Sequence, residues 1–159
     1  MEPWEESTRR VMKGGRTRPE ELQRGENGRA LCRWCKLEVP SGRRTFCSEW
    51  CVHEWRQRSD PAYLRECVLE RDKGICALCG TDTLAEWRRL KRMPFARRHL
   101  ALKEWGLPAL RRSLWDADHI VPVVEGGGEC DLSNLRTLCL RCHRRETAAL
   151  RQRRASSTG

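Results

Sequence analysis

The sequence lacks long hydrophobic runs and has few apolar residues overall. No run approaches the roughly 18 residues that a membrane-spanning helix requires, and apolar residues make up 38% of the chain. Residues 1–10 contain three glutamates and no apolar stretch typical of a secretory signal. We therefore expect neither secretion nor membrane insertion, and predict an intracellular protein, cytoplasmic in a bacterium or phage and nuclear in a eukaryote. A chain of 159 residues has room for one ordinary domain, or for a compact domain with a small extra module.

Cysteine, by contrast, is abundant, and eight of the ten cysteines form four close pairs. Two such pairs can surround one ion with four thiolates, which is the composition of a closed structural zinc site. Disulfide bonds are the competing interpretation, but they would need an oxidising compartment. We therefore predict two structural Zn²⁺ sites. The first comprises Cys32, Cys35, Cys47 and Cys51, and the second comprises Cys76, Cys79, Cys139 and Cys142.

Two cysteines and one histidine receive no functional role from the sequence. Cys67 and Cys130 stand outside the pairs, and free cysteines commonly behave as small buried apolar side chains. His99 falls on an apolar stripe of a helical segment, where a packed or capping histidine is the simpler interpretation than a ligand.

The amino-terminal half divides into an arm and a small module. Residues 1–29 are rich in glycine and charge without a sustained apolar period, so we predict a flexible arm. Residues 30–59 are predicted to form a treble-clef-like zinc module in which Ser48 caps a helix. Asp60 and Pro61 are suited to begin the next helix, which we expect to end near Lys73.

The carboxyl-terminal half is predicted to alternate between helices and strands. Residues 83–115 have a helical pattern interrupted by Pro94, and we interpret them as a helical insertion. A strand is expected from Ala117 to Val124 with a break at Pro122, followed by a triple-glycine loop. We predict a second strand at 135–138, a final helix at about 143–153, and a disordered tail at 155–159.

Four residues between positions 118 and 143 carry the strongest functional signal. An Asp-His pair, Asp118 and His119, is followed by Asn134 and then by His143, directly after a Cys-x-x-Cys knuckle. This arrangement resembles the HNH endonuclease family, and the stretch from about Cys32 to Thr147 resembles more narrowly the HNH domain at the carboxyl end of a zinc-finger annealing helicase. The resemblance implies an α+β fold with a small zinc-stabilised ββα-metal core, here at residues 60–154.

The resemblance also implies a role for each of these residues. His119 would be the general base, while Asp118 and His143 would hold a catalytic Mg²⁺ or Mn²⁺. Asn134 would hydrogen-bond across the hairpin loop and hold the base in place. From its place on the strand rather than from the resemblance, Asp116 is an alternative metal ligand to Asp118. It lies two residues away on the same face and nearer the edge, so we expect it to support the ligands rather than to bind the ion.

The same residues also have structural interpretations. Asp118 and His119 would suit the polar edge of a strand, Asn134 a turn, and His143 a zinc site. Many family members carry a further histidine or asparagine one turn after the helix histidine, whereas this chain has Thr147, a weaker ligand. We therefore expect weak activity or a strong preference for Mn²⁺.

The charge distribution suits a nucleic-acid partner. The formal net charge is +10, and residues 87–112 hold nine Lys and Arg against one acid, while residues 113–135 hold five acids and no Lys or Arg. An acidic cation pocket flanked by basic surfaces suits DNA, bound through its backbone or its structure rather than its sequence. The predicted DNA-contacting side chains in and before the final helix are Arg136, Arg141, Arg144, Arg145 and Arg151.

Three functions remain open at this point. The leading hypothesis is a metal-dependent DNA endonuclease that nicks or cuts both strands and leaves 5′-phosphate and 3′-hydroxyl ends, as the resemblance implies. The alternatives are a zinc-dependent nucleic-acid-binding adaptor with weak or no catalysis, and a zinc scaffold for protein partners. The amino-terminal module is either a DNA-contacting finger, with Arg33, Arg43 and Arg44 at its tips, or a staple for the core, and we favour the staple.

Overall fold

The fold consists of a two-stranded sheet and the helices that pack against it, some of which precede the strands in the sequence while one follows them. The structure is a computed structural model, and it describes Arg10, residues 17–107 and residues 113–157. The five α-helices in these residues are α1 (Glu49–Ser59), α2 (Pro61–Asp72), α3 (Thr83–Lys91), α4 (Phe95–Glu104) and α5 (Leu140–Ser156). The two strands are β1 (Trp115–His119) and β2 (Leu135–Cys139). No helix of the described residues combines the length and apolarity needed to cross a membrane.

The strands form an antiparallel hairpin that carries the candidate site. Asp118 lies opposite Arg136, and His119 lies opposite Leu135 at the end of the ladder. The α5 helix follows β2 directly and packs against both strands. Residues Trp115–Ser156 therefore form a ββα unit, and the predicted α+β class is confirmed.

Helix starts follow the capping residues in the sequence. The Ser48 hydroxyl accepts a hydrogen bond from the Cys51 amide, and the Asp60 carboxylate accepts from the amides of Ala62 and Tyr63. Such caps satisfy backbone donors that the first turn leaves unpaired. The predicted starts of α1 and α2 agree with these caps.

The α2 helix braces the hairpin from the side opposite α5. Leu64 and Val68 are buried against Trp115 and Leu135. At the end of α2, the Asp72 carboxylate accepts a hydrogen bond of 2.8 Å from the Thr137 amide in the middle of β2. Arg71 holds the pKa of Asp72 below its usual value, so the carboxylate is charged at neutral pH.

The helical insertion folds back onto the hairpin and α5. Leu90 from α3, Leu102 from α4 and Trp105, which follows α4, are buried in one cluster with Leu138 and Cys142. The boundary predicted at residue 115 is slightly late, because Trp115 already belongs to β1. Residues 108–112 of the predicted insertion lie outside the described residues.

Two other boundaries differ from the predictions. The described part of the predicted arm is hydrogen-bonded to the zinc module, since the Leu31 amide donates to the Gln23 carbonyl and Leu22 packs against the module's core. We therefore place the start of the module near residue 22. The α5 helix is longer than predicted, because the Cys139 sulfur caps its start and the helix continues through Ser156. Residues 1–9, 11–16, 158 and 159 lie outside the described residues.

The predicted strand from Ala117 to Val124 is wrong beyond His119. Val121 and Pro122 lie in a loop, and residues Val123–Glu125 form a single 3₁₀ turn. A run of β-branched residues favours a strand, but the side chain of Asn134 pairs with the backbone of Val121 and takes the place of ladder hydrogen bonds.

Candidate active site and zinc sites

The second cysteine set joins the knuckle before α3 to the junction of β2 and α5. The sulfurs of Cys76, Cys79, Cys139 and Cys142 all lie within 4.8 Å of one another, and Cys79 and Cys139 are 3.7 Å apart. A tetrahedral ion with zinc–sulfur bonds of about 2.3 Å separates its sulfurs by about 3.8 Å. A disulfide would need about 2.05 Å. The residues fit a zinc ion that fastens the insertion to the hairpin.

The first cysteine set has the same character. Cys32, Cys35, Cys47 and Cys51 also fall within 4.8 Å of one another, with 3.3 Å from Cys47 to both Cys35 and Cys51. The first pair lies in a tight turn next to the bridge between Leu31 and Glu38, and the second pair lies at the start of α1. Two cysteine clusters therefore fit the two predicted zinc sites.

One thiol of the second set is predisposed to ionise. A hydrogen bond with the Thr81 hydroxyl lowers the pKa of Cys79 to about 6, and Cys79 is the exposed member of its set. Zinc binds thiolates rather than thiols, so this side chain is ready to act as a ligand near neutral pH.

His119 ends β1 and donates to a backbone carbonyl. Its Nε2 atom is 2.9 Å from the Glu129 carbonyl oxygen. A carbonyl can only accept, so Nε2 carries the proton and the neutral ring presents the lone pair of Nδ1. Within the described residues, Nδ1 makes no hydrogen bond. Such a ring can take a proton at Nδ1.

Glu129 is itself held in place by Arg10, a residue of the amino-terminal arm. Its carboxylate accepts hydrogen bonds from the backbone amide of Arg10 at 3.1 Å and from Arg10 Nε at 2.8 Å. The Arg10 side chain holds the pKa of Glu129 below its usual value. The carbonyl that orients His119 therefore belongs to a residue that Arg10 holds in place. The sequence did not predict this contact.

Asn134 closes the loop between the strands with three side-chain hydrogen bonds. Its Oδ1 atom accepts from the Val121 amide at 2.9 Å, and its Nδ2 atom donates to the carbonyls of Val121 at 2.9 Å and Gly128 at 3.0 Å. A Cβ atom at Gly127 would lie 1.9 Å from the Val121 carbonyl oxygen, so the loop has no space there for a side chain. All of the side-chain hydrogen bonds of Asn134 stay within this loop.

Asp118 and His143 face each other across the β1–α5 contact. The Asp118 Oδ1 atom is 3.7 Å from His143 Nε2. A divalent ion with ligand distances of about 2.1 Å can contact two atoms separated by at most about 4.2 Å. One carboxylate oxygen and one imidazole nitrogen are donors that Mg²⁺ and Mn²⁺ accept, with water completing the shell. The distance and the donor atoms of the two residues therefore fit a divalent cation.

Arg136 and Thr147 border this pair. Arg136 Nε donates to Asp118 Oδ2 at 3.1 Å, and its Nη2 atom donates to Glu146 at 3.2 Å. The second oxygen of Asp118 is thus neutralised by an arginine, while the first is directed toward His143. The Thr147 hydroxyl donates to the His143 carbonyl at 2.9 Å, so it is engaged with the α5 backbone.

These residues line one cleft of about 290 Å³ between the loop and α5. Asp118, His119, Arg136 and His143 lie in its walls, together with Thr147 and Arg153. The rest of the lining is largely apolar: Ile120, Pro122, Val123, Val124 and Leu150.

The five arginines predicted to contact DNA differ in whether their side chains already make contacts within the protein. Arg136 is held in the cleft, Arg144 donates to the Gly106 carbonyl at 2.8 Å, and Arg141 stacks over Trp105 at 4.1 Å. Arg145 contacts the Cys142 sulfur at 3.8 Å. Arg151 is exposed on α5, and within the described residues its side chain forms no hydrogen bond or ion pair.

Comparisons with known proteins agree with this geometry. The model of the HNH endonuclease family matches residues 106–149. Among solved structures, the human ZRANB3 HNH domain superposes with a TM-score of 0.51 at 34% identity, covering 63% of this chain and 97% of that chain.

Curated relatives include the DNA annealing helicase and endonuclease ZRANB3 from mouse and human. The mouse protein is 34% identical over 77% of this chain, and the human protein is 37% identical over 65%. The chain spans only 14% of the mouse protein and 11% of the human one.

The matched HNH structure is almost completely covered by this chain, and the family model falls on the hairpin and helix that carry the cleft. Together they support a nuclease-type function. The chain belongs to the HNH endonuclease family, with an HNH domain like that of ZRANB3.

Proposed function

We propose that the chain is a metal-dependent endonuclease that hydrolyses DNA phosphodiester bonds. The observation that carries this proposal is the orientation of His119, whose Nε2 proton is committed to the Glu129 carbonyl while the ring lines the same cleft as Asp118 and His143. A base and a cation site beside an open groove are the components that hydrolysis of a phosphodiester requires.

In the proposed reaction, His119 accepts at Nδ1 the proton of the attacking water. A divalent ion bound by Asp118 and His143 would polarise the scissile phosphate and stabilise the leaving 3′ oxygen. Asn134 keeps the loop closed, which fixes the Glu129 carbonyl and with it the ring of His119. The products would carry 5′-phosphate and 3′-hydroxyl ends.

DNA is the proposed substrate because basic side chains lie around the acidic residues of the cleft. The α5 helix continues from His143 into the arginine-rich end of the chain, where Arg151 is free to meet a phosphate. Contacts of this kind set affinity and register without reading bases. We therefore expect recognition of the backbone or of a DNA structure rather than of a sequence.

The adaptor hypothesis remains the second candidate function, and two contacts favour it. Thr147 is engaged with the helix backbone, and Arg136 occupies one oxygen of Asp118. Both contacts limit the number of protein ligands for a cation. An adaptor would bind DNA without cutting it.

A plasmid-relaxation assay of the zinc-loaded protein tests the proposal. The protein is incubated with supercoiled DNA and Mg²⁺, Mn²⁺ or EDTA, and Asp118→Asn is run beside Asp131→Asn, a loop aspartate that caps the turn at Leu132–Asn134. We expect nicking with Mn²⁺ that EDTA and Asp118→Asn abolish and Asp131→Asn retains. DNA binding without nicking under every condition would favour the adaptor.

A further inference from the structure

His143 lies between two carboxylates on one face of β1. Asp116 and Asp118 are two residues apart in the strand, so both project to the face that α5 covers. Asp116 Oδ2 is 3.6 Å from His143 Nδ1, and Asp118 Oδ1 is 3.7 Å from Nε2. Each ring nitrogen therefore faces a different carboxylate.

The two carboxylates have different surroundings. Asp118 lines the cleft beside His119, whereas Asp116 is not among the described residues that line it. The other oxygen of Asp116 accepts a hydrogen bond of 2.9 Å from Arg65 Nη1, in α2. Asp116 is thus placed behind the imidazole rather than in the groove.

Arg65 is fixed in place by several contacts. Its Nη2 atom donates to the Ser113 hydroxyl at 3.0 Å and to the Trp115 carbonyl at 2.6 Å, and its guanidinium stacks 3.7 Å from the centre of the Trp115 ring. A guanidinium held at this many points presents Nη1 to Asp116 in one geometry. Arg65 also lies outside residues 106–149, the part of the chain that the family model matches.

We propose that Arg65 and Asp116 are positioning residues that direct Nε2 of His143 toward the cation site. The Asp116 carboxylate, 3.6 Å from Nδ1, favours the tautomer of the neutral ring that carries its proton on Nδ1, which leaves the Nε2 lone pair facing Asp118. Arg65 neutralises Asp116 and commits it to this task. The inference rests on the proposed function only in assigning a cation to Asp118 and His143, and carboxylates behind ligand histidines commonly act in this way.

The variant Asp116→Asn tests the orientation with little change in shape. Arg65 can only donate hydrogen bonds, so it keeps the amide oxygen on its own side and turns the amide nitrogen toward His143. That nitrogen donates to Nδ1 and favours the tautomer with a proton on Nε2, which cannot bind a cation. We expect Mn²⁺ to bind about 10- to 100-fold more weakly, as for comparable supporting residues.

The double variant Arg65→Met, Asp116→Asn removes the guanidinium that fixes the orientation of the new amide. Without the guanidinium the amide is free to rotate and present its oxygen to Nδ1, which restores the productive tautomer. We expect the double variant to bind Mn²⁺ more tightly than Asp116→Asn alone. A merely structural role for Arg65 predicts the opposite, because loss of its contacts would add to the damage.

Two measurements on the zinc-loaded full chain test whether Arg65 and Asp116 orient His143. The first is the dissociation constant of Mn²⁺, obtained from the electron paramagnetic resonance signal of the free ion. The second is the His143 tautomer in ¹⁵N-histidine spectra recorded at pH 8 without added Mn²⁺. The chain has four histidines, so His143→Ala assigns the signal.

Arg71→Met is the matched control. Arg71 is another arginine of α2 that holds backbone carbonyls, those of Leu132 and Leu135, and it does not contact Asp116. We expect this variant to change neither the tautomer nor the affinity for Mn²⁺.

The inference is overturned if Asp116→Asn binds Mn²⁺ within twofold of the unaltered protein and leaves the tautomer unchanged. The part assigned to Arg65 is overturned if the double variant binds no better than Asp116→Asn. If both readouts behave as expected but no DNA is cut, the proposed function fails while the positioning role stands. If the unaltered chain does not bind Mn²⁺, the tautomer readout still decides.

Discussion

Asn134→Ala separates an asparagine that holds a loop from one that binds a cation. The substitution removes three hydrogen bonds, to the amide and carbonyl of Val121 and to the carbonyl of Gly128. Each such bond contributes about 1 kcal/mol net, and part of the loss is recovered from water because the loop is largely exposed. We expect the free energy of unfolding to fall by about 1–3 kcal/mol.

The effect on cleavage should exceed the effect on stability. A loosened loop displaces the Glu129 carbonyl and the ring of His119, and a misplacement of about 1 Å can cost on the order of 100-fold in rate. The affinity for Mn²⁺ should stay within about twofold, because the Asn134 side chain is engaged with the loop and not with Asp118 or His143. Denaturant unfolding, single-turnover nicking and Mn²⁺ titration measure the three quantities on the same preparation.

Ser133→Ala is the control, since the Ser133 hydroxyl bonds only to Asp131 within the described residues. It should change none of the three quantities appreciably. A tenfold or larger loss of Mn²⁺ affinity in Asn134→Ala, with unchanged stability, would refute the loop-holding role and make Asn134 a ligand.

Three further predictions concern zinc, the α2 brace and DNA. Native mass spectrometry should find two Zn²⁺ per chain, and Cys139→Ala should retain one, because only the second cysteine set is broken; retention of both would contradict the assignment. Asp72→Asn should lower the free energy of unfolding at pH 7 by about 1 kcal/mol in a denaturant titration, since the acceptor of the Thr137 amide loses its charge while an amide oxygen can still accept; an unchanged midpoint would contradict the bracing role. Arg151→Ala should weaken binding to unrelated duplexes equally and reduce the slope of log affinity against log salt by about one; an unchanged slope would remove Arg151 from the interface.

The fold was predictable where a side chain acts locally. The cysteine pairs, the cap at Ser48 and the Asp60–Pro61 start of α2 are signals that depend on a few neighbouring residues, and the structure places each element accordingly. The end of β1 was not predictable, because Asn134 acts on Val121 from 13 residues away. The apolar, β-branched run at residues 120–124 favours a strand, whereas the hydrogen bonds from Asn134 hold it as a loop.

The candidate site divides in the same way. Asp118, His119 and His143 have a spacing that points to a family, and the structure brings them to one cleft. The Glu129 contact with His119 uses a backbone carbonyl, which leaves no trace in the sequence. Arg65 meets Asp116 across 51 residues and is one arginine among 27, so nothing local distinguishes it.

The most direct test of His119 as the general base is the nicking rate of His119→Ala under single-turnover conditions. The zinc-loaded protein is mixed with supercoiled DNA and Mn²⁺, with DNA and Mn²⁺ binding measured in parallel. His99→Ala serves as the control, since His99 stacks on Phe95 in the insertion. We expect His119→Ala to nick about 10²- to 10⁴-fold more slowly, as for loss of a general base, with both binding constants unchanged and with His99→Ala as active as the unaltered protein. Nicking by His119→Ala at the rate of the unaltered protein would contradict the role of His119 as the general base.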